Sequence, residues 1–371
     1  MINLFKMNKI KKRLIYLSFP LYLGTIFYYF TLKKIFSEEI ELTYQIIIYP
    51  LVFFSLLCIT LLLSFDSYHK IFNFFYLLYY LIFGIYVNLS FPFSFLFLLF
   101  LLKIQLPFKL SLFVFPFSGI ILTIYGIINS FIINIERIKI KCENLQCKKL
   151  TICHLTDLHL GSIIGKELII KLVNIIKKEK NLDLIIITGD IVDGTCPLSK
   201  EIFYPFQKIK IPIYYINGNH EEYAFLEEMK KLFNSTNFIH LSNKTIQFNN
   251  IVNLIGVDYD YPHNKAIQKM VNILPNNSLP NILLYHVPIF RPFVLKNWNI
   301  FLMLCGHTHG GQFFPIHLLQ FYYYKILDGL YHHLGKYYVY CSSGVGTTGP
   351  PMRTFCQAKI GIITLENEFF E

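Results

Sequence analysis

The run Gly306-His307-Thr308-His309-Gly310-Gly311-Gln312 sets two imidazoles one residue apart between glycines. Such a loop can turn tightly and present both rings to a metal ion. By itself the pattern is weak. Four further segments precede it in order: Asp157-Leu158-His159, Gly189-Asp190-Ile191-Val192-Asp193, Gly218-Asn219-His220-Glu221 and Tyr285-His286-Val287-Pro288. Each follows an apolar run that reads as a strand. Carboxylates, an amide and imidazoles gathered this way can fill the shells of two metal ions. That set implies two-metal hydrolysis of phosphate esters.

Around these segments the chain reads as strands alternating with helices. Apolar runs at 150–155, 182–188, 211–216, 282–285 and 300–304 end at the five segments. The solid run 182–188 has the look of a strand buried on both faces. Residues 166–180 carry apolar side chains at 168, 169, 172, 173, 175 and 176 with lysines between, an amphipathic helix. A second helix is expected from Tyr223 to Phe233, with acids early and lysines late. Short strands between 239 and 258, a helix near 265–274 and strands at 337–341 and 359–365 complete the pattern. In such sheets function collects at the carboxyl ends of the strands, where all five segments lie.

The first third is different. The chain has 371 residues, of which 54% are hydrophobic and 17% aromatic. The excess sits in residues 14–135, which carry almost no charge. Stretches 14–32, 42–65, 71–102 and 110–135 each approach or exceed the ~20 residues needed to cross a bilayer. They predict four spans, or five if 71–102 folds back near Asn88-Leu89-Ser90-Phe91-Pro92. The expected division is therefore a transmembrane region over 1–135 and an α/β domain over 136–371. A cleaved leader does not fit, because apolar stretches keep recurring after the first. No ionisable residue sits deep in a span, which argues against a transporter.

The net charge of +11 splits almost evenly: 10 Lys and Arg against 4 Asp and Glu before residue 136, and 24 against 19 after it. The second part has no polybasic face, so no nucleic-acid partner is expected. Lys6, Lys9, Lys11, Lys12 and Arg13 precede the first apolar stretch and predict a cytoplasmic start. An even number of spans then returns the chain to the cytoplasm at Glu136-Arg137-Ile138-Lys139-Ile140-Lys141. The eight cysteines include no Cys-x-x-Cys pair and read as free, small thiols of a reducing compartment.

A two-metal site needs a group that bridges both ions, and Asp190 is the natural candidate. Asp157 and His159 alternate on what reads as an extended segment, so they face one side and can grip one ion. Asn219 supplies a neutral oxygen. His286, His307 and His309 complete the two shells. Mixed nitrogen and oxygen donors suit Mn, Fe or Zn rather than Mg or Ca. Asp193 reads as an orienting group behind a ligand, His154 as a packed core histidine, His332-His333 as an exposed turn and Glu221 as a loop cap.

With these motifs in this order, the chain resembles the calcineurin-like metallophosphoesterases. The resemblance implies a four-layer α/β/β/α sandwich. It implies one metal held by Asp157, His159, Asp190 and His309, and a second held by Asp190, Asn219, His286 and His307. It gives His220 the role of catalytic acid and implies attack by metal-bound hydroxide, with no side chain covalently modified. Gly310-Gly311-Gln312 and the segment from Ser343 to Arg353 are similar to the membrane-associated bacterial branch, some of whose members are UDP-diacylglucosamine diphosphatases. Those members carry an Arg-Pro-Glu where this chain reads Gln357-Ala358-Lys359. Arg353 can offer a substrate phosphate its planar fork or serve in a structural salt bridge. The expectation is a multi-pass membrane protein with a cytoplasmic hydrolase domain acting on a phosphodiester, phosphomonoester or pyrophosphate, lipid-linked by preference. Hydrolysis of soluble nucleotides and an inactive membrane sensor or scaffold are the alternatives.

Overall fold

The structure is a computed structural model that describes residues 55, 56, 59, 70–104, 108–196, 198–223, 231–290, 295–313, 316–333, 336–354 and 356–369. The expected span 14–32, and all but three residues of 42–65, lie outside them. So does most of the expected helix from Tyr223 to Phe233. The chain divides into two compact units.

The first unit contains helix α1 (Lys70–Leu101) and helix α2 (Phe108–Ser130), the latter up to Asn129. The stretch 71–102 is one helix with Pro92 inside it, not the two short helices of a hairpin. Its segment Lys70–Leu89 is long and apolar enough to cross a bilayer, by length and composition. α1 buries Phe72, Tyr76, Tyr79 and Tyr80. α2 leaves Val114, Phe117, Ile120, Ile121, Ile124 and Ile128 exposed. Asn88 Nδ2 of α1 donates to Thr123 Oγ1 of α2 at 3.1 Å. The distant segment Gly349–Phe355 also belongs to this unit. There Arg353 N donates to Gly126 O at 2.8 Å and Asn129 Nδ2 to Arg353 O at 3.0 Å.

The second unit is two packed six-stranded sheets. The strands are β1 (Ile133–Lys141), β2 (Lys149–Leu155), β3 (Leu184–Thr188), β4 (Ile213–Ile216), β5 (Phe238–His240), β6 (Lys244–Phe248), β7 (Val252–Gly256), β8 (Asn281–Leu284), β9 (Ile300–Cys305), β10 (Gly329–His333), β11 (Tyr337–Cys341) and β12 (Ala358–Glu366). One sheet runs β1-β12-β2-β3-β4-β5 and the other β10-β11-β9-β8-β7-β6. Both are mixed: β2, β3, β4 and β5 are parallel, as are β7, β8, β9 and β11, while β12 runs antiparallel to β2.

Period-two alternation builds the layers. On β3, Leu184 and Ile186 face the second sheet, where they meet Leu254, Ile282 and Leu302. Ile185 and Ile187 face outward onto Leu172 and Ile176 of helix α3 (Lys166–Ile176) and Phe206 of the 3-10 helix Lys200–Lys208. On the far side, Leu283 and Met303 pack with Ala266 and Met270, which lie within Asn264–Asn272, a further helix. Helix, sheet, sheet and helix thus form the four expected layers. The run 182–188 lacks alternation because both faces of β3 are covered.

Composition misplaces three features. β1 begins at Ile133, inside the last expected span, because its Ile133 and Ile135 are apolar for packing against the sheet core. A boundary at 135 therefore cuts an edge strand paired with β12 along its whole length. His332-His333 lies on strand β10, paired with Tyr338 and Tyr337. The 3-10 helix at Lys200–Lys208 has no clear periodic signal and was not expected.

Candidate metal centre

All five segments sit where β2, β3, β4, β8 and β9 end. Two groups of side chains converge there. In the first, His309 Nε2 lies 3.3 Å and His159 Nε2 3.8 Å from Asp157 Oδ1, and the two Nε2 atoms are 3.0 Å apart. In the second, His286 Nε2 lies 3.1 Å from Asp190 Oδ2 and 3.3 Å from His307 Nδ1. Asp190 Oδ2 is also 3.7 Å from His159 Nε2, so one carboxylate oxygen adjoins both groups. The ligand-type atoms within each group lie within 4.8 Å of one another.

The backbone is bent to achieve this. Asp157 (φ 53°), His159 (49°), Asp190 (51°), His307 (73°) and His309 (51°) all occupy the left-handed region. Asp157 and His159 therefore do not alternate on an extended segment as expected; the turn itself aims both side chains. Such conformations cost of order 1–3 kcal/mol each and persist where the surroundings enforce them. Two glycines make room. A Cβ at Gly218 would collide with Asp190 Oδ1, and one at Gly306 with Asp157 Oδ2.

Second partners orient the rings. His159 Nδ1 is 3.2 Å from Asp193 Oδ1, His286 Nδ1 donates to Thr188 O at 2.7 Å, and His307 Nε2 is 2.9 Å from Tyr324 Oη. The tautomers that follow leave His159 Nε2 and His286 Nε2 facing the carboxylates. Asp193 thus has the orienting place read for it. His220 is buried beside His159, with Nδ1 2.9 Å from Asp193 O and 3.4 Å from Asp193 Oδ1. Its backbone N donates to Asp190 Oδ1 at 2.9 Å.

The arrangement suits cations. Burial works against charge on both His159 and His286, yet Asp157, Asp193 and Asp190 push His159 up to about 10, and Asp190 and Asp157 push His286 up to about 9. Asp157 is raised by burial, but His309, His159 and His286 outweigh this and hold it well below the usual carboxylate range. A field that holds protons on buried imidazoles also favours metal ions. His307, by contrast, is driven down to about 3 by burial and by His286, so it offers lone pairs. Asn219 Oδ1 is buried with no hydrogen-bond partner, an acceptor that a metal would satisfy. The donor set, nitrogen and oxygen mixed, fits divalent metal.

Glu221 does more than cap a loop. Its two oxygens accept from four backbone N–H groups: Asp190 at 3.0 Å, Ile191 at 2.7 Å, Val192 at 3.1 Å and Gly218 at 2.6 Å. It therefore clasps the loop after β3 to the loop after β4. Burial and the Asp190 charge push its carboxyl up, while the N–H groups of Val192 and Gly218 oppose them. Glu221→Ala is expected to cost about 3 kcal/mol or more, since each buried donor left without a partner costs about 1–3 kcal/mol. Glu221→Gln keeps one acceptor oxygen and should lose less. Chemical denaturation reads both, and unchanged stability in the Ala variant would show that the clasp is idle. Asp258 makes a similar link, accepting from Asn217 N at 2.8 Å and Ser242 Oγ at 2.6 Å.

Other expected residues fall elsewhere. Arg353 is fully buried in the first unit, so it presents no open fork to a phosphate. In the loop after Ser343, Val345 N and Gly346 N donate to Thr156 O and Asp157 O. His154 is a core residue, 2.8 Å from Thr188 Oγ1. Among the described residues Cys142, Cys147, Cys153, Cys196, Cys305, Cys341 and Cys356 are free thiols.

The family model for calcineurin-like phosphoesterases matches residues 150–311, which include every candidate metal ligand named above. A Campylobacter jejuni metallophosphoesterase is 30% identical over 275 residues, covering 71% of each chain. The chain belongs to the calcineurin-like phosphoesterases. A Helicobacter pylori metallophosphoesterase is 34% identical over 229 residues, 58% of this chain and 60% of that protein. The match thus spans less than two thirds of that relative. A Danio rerio protein named as a transmembrane protein with metallophosphoesterase domain is 29% identical over 268 residues, 66% of this chain and 60% of its own. The family uses divalent metal ions, and the Asp and His groups described above can hold them.

Proposed function

We propose that this chain is a membrane-anchored phosphoesterase that uses two divalent transition-metal ions to hydrolyse a lipid-linked phosphate ester or pyrophosphate. The observation that carries the two-metal reading is Asp190 Oδ2, which adjoins both ligand groups. Asp157, His159, Asp190 and His309 would hold one ion; Asp190, Asn219, His286 and His307 would hold the other. Bound there, such ions supply Lewis acidity and a nucleophile from water at neutral pH. His220 would give its proton to the leaving oxygen, its ring steadied by Asp193. Asp193 and Thr188 O keep His159 and His286 in the tautomers that present Nε2. The strained ligand backbone and the Glu221 clasp hold these groups in place before substrate arrives, so less ordering is needed during reaction.

The apolar first part supports a multi-pass anchor. α1 has bilayer-crossing length, and α2 exposes an apolar row to its surroundings. The Danio rerio relative is itself named a transmembrane protein. Arg137, Lys139 and Lys141, shortly after α2, and the free thiols support a cytoplasmic catalytic unit. Anchoring holds an enzyme where an amphiphile is concentrated, which favours a lipid-linked substrate.

The test is a metal-dependent screen of the full chain in vesicles. Activity should vanish on chelation and return with Mn, Fe or Zn. A lipid pyrophosphate in the same vesicles should turn over faster than a soluble bis-aryl diester or a nucleotide. Preference for the soluble nucleotide would replace the lipid reading, and activity resistant to chelation would end the metal reading.

A further inference from the structure

Helix α4 (Ile316–Tyr324) follows the metal loop in sequence and has no buried residue. Leu318, Leu319, Phe321, Tyr322 and Tyr323 are 51–78% exposed, an unusual density of large apolar side chains facing water. The other positions, Ile316, His317, Gln320 and Tyr324, are only partly exposed and follow helical spacing along the inner side. From that inner side Tyr324 Oη reaches His307 Nε2 at 2.9 Å. The same helix therefore shows an apolar face outward and holds a candidate metal ligand inward.

We infer that α4 seats its outer face in a lipid surface, which would bring the metal centre to the level of the lipid headgroups. The residue types fit that occupant: leucine and phenylalanine for the acyl boundary, and tyrosines whose rings suit the interface. Lys325 ends the helix with its ammonium 4.5 Å from the Tyr322 ring, placed to meet lipid phosphate. No acidic residue occurs from 313 to 327, so nothing in this stretch repels an anionic surface. Along the chain, α4 starts directly after Phe313–Pro315, a segment of the apolar helical unit. Within its own unit Phe131 and Ile132, where α2 hands over to β1, are likewise exposed and apolar.

This inference rests on the membrane-anchored reading above, but its test is separate from the substrate. The full chain carrying Trp298→Phe and Tyr322→Trp is reconstituted in phosphatidylcholine and phosphatidylglycerol vesicles. The phosphatidylcholine is brominated near the carbonyl end of its acyl chains. The Tyr322→Trp reporter should lose most of its emission, while a control reporter at the exposed loop residue Tyr261, as Tyr261→Trp, should keep it. Leu319→Trp provides a second reporter on the same face. If neither face reporter is quenched, or if the control is quenched equally, the helix does not dock on lipid; a second protein covering the face would also leave the reporters unquenched. Hydrolysis of the lipid pyrophosphate is followed in the same vesicles. Quenching without hydrolysis supports the docking helix and removes the lipid-linked substrate. Hydrolysis without quenching removes the docking helix alone.

Discussion

Asp190→Ala should empty the centre. Asp190 Oδ2 adjoins His286 Nε2 at 3.1 Å and His159 Nε2 at 3.7 Å, one on each side of the site. Removing it takes away the shared carboxylate and leaves buried imidazoles that repel one another when protonated. Metal content measured on the purified full chain should fall from close to two ions per chain to near none. Turnover should fall by more than the roughly 10–100-fold that losing an outer partner of a ligand costs. The other oxygen, Oδ1, accepts from His220 N, so the loop after β4 should loosen as well. A variant that kept both ions and full activity would overturn the assignment of the site.

His220→Ala should behave in the opposite way with respect to metal. The contact of His220 with Asp190 is made by its backbone N–H, which alanine retains. Metal content should therefore stay near normal. The ring, held by Asp193 O at 2.9 Å, is what would carry the proton to the leaving group. Its loss should lower kcat by roughly 10²–10⁴-fold, the usual worth of a positioned acid or base. A leaving group that needs no protonation should recover much of that loss. If His220→Ala instead strips metal, the ring is a ligand and the proposed role is wrong.

Much of the site was legible because its ligands come in short local motifs. Each motif follows a strand whose apolar run is itself readable, and parallel strands bring their carboxyl ends to one edge. The outer partners were harder. Glu221 lies inside the quoted Gly218-Asn219-His220-Glu221 segment, yet its four donors come from two loops that meet only because β3 and β4 are neighbours. Tyr324 sits in an aromatic run of a chain already rich in aromatics, so composition carried no signal for its bond to His307. Asp193 was the exception, since a carboxylate in the same segment as Asp190 reads as an orienting group behind a ligand.

The sequence by itself determined the strand-then-motif order, the ligand types and the contrast between an apolar first part and a mixed second part, because each is encoded in periodicity, composition or residues a few positions apart. The four-layer sandwich was implied by the family resemblance. Only the tertiary structure decided where β1 begins, since an apolar edge strand continuous with an apolar helix has no compositional boundary. It also decided that Arg353 is buried with Gly126 and Asn129 rather than open to a phosphate. Packing alone showed that five candidate ligands take left-handed backbone and that Gly218 and Gly306 must lack a Cβ. Those features arise from how closely separate loops approach one another. Close approach is a property of the folded sheet order, not of any local stretch of chain.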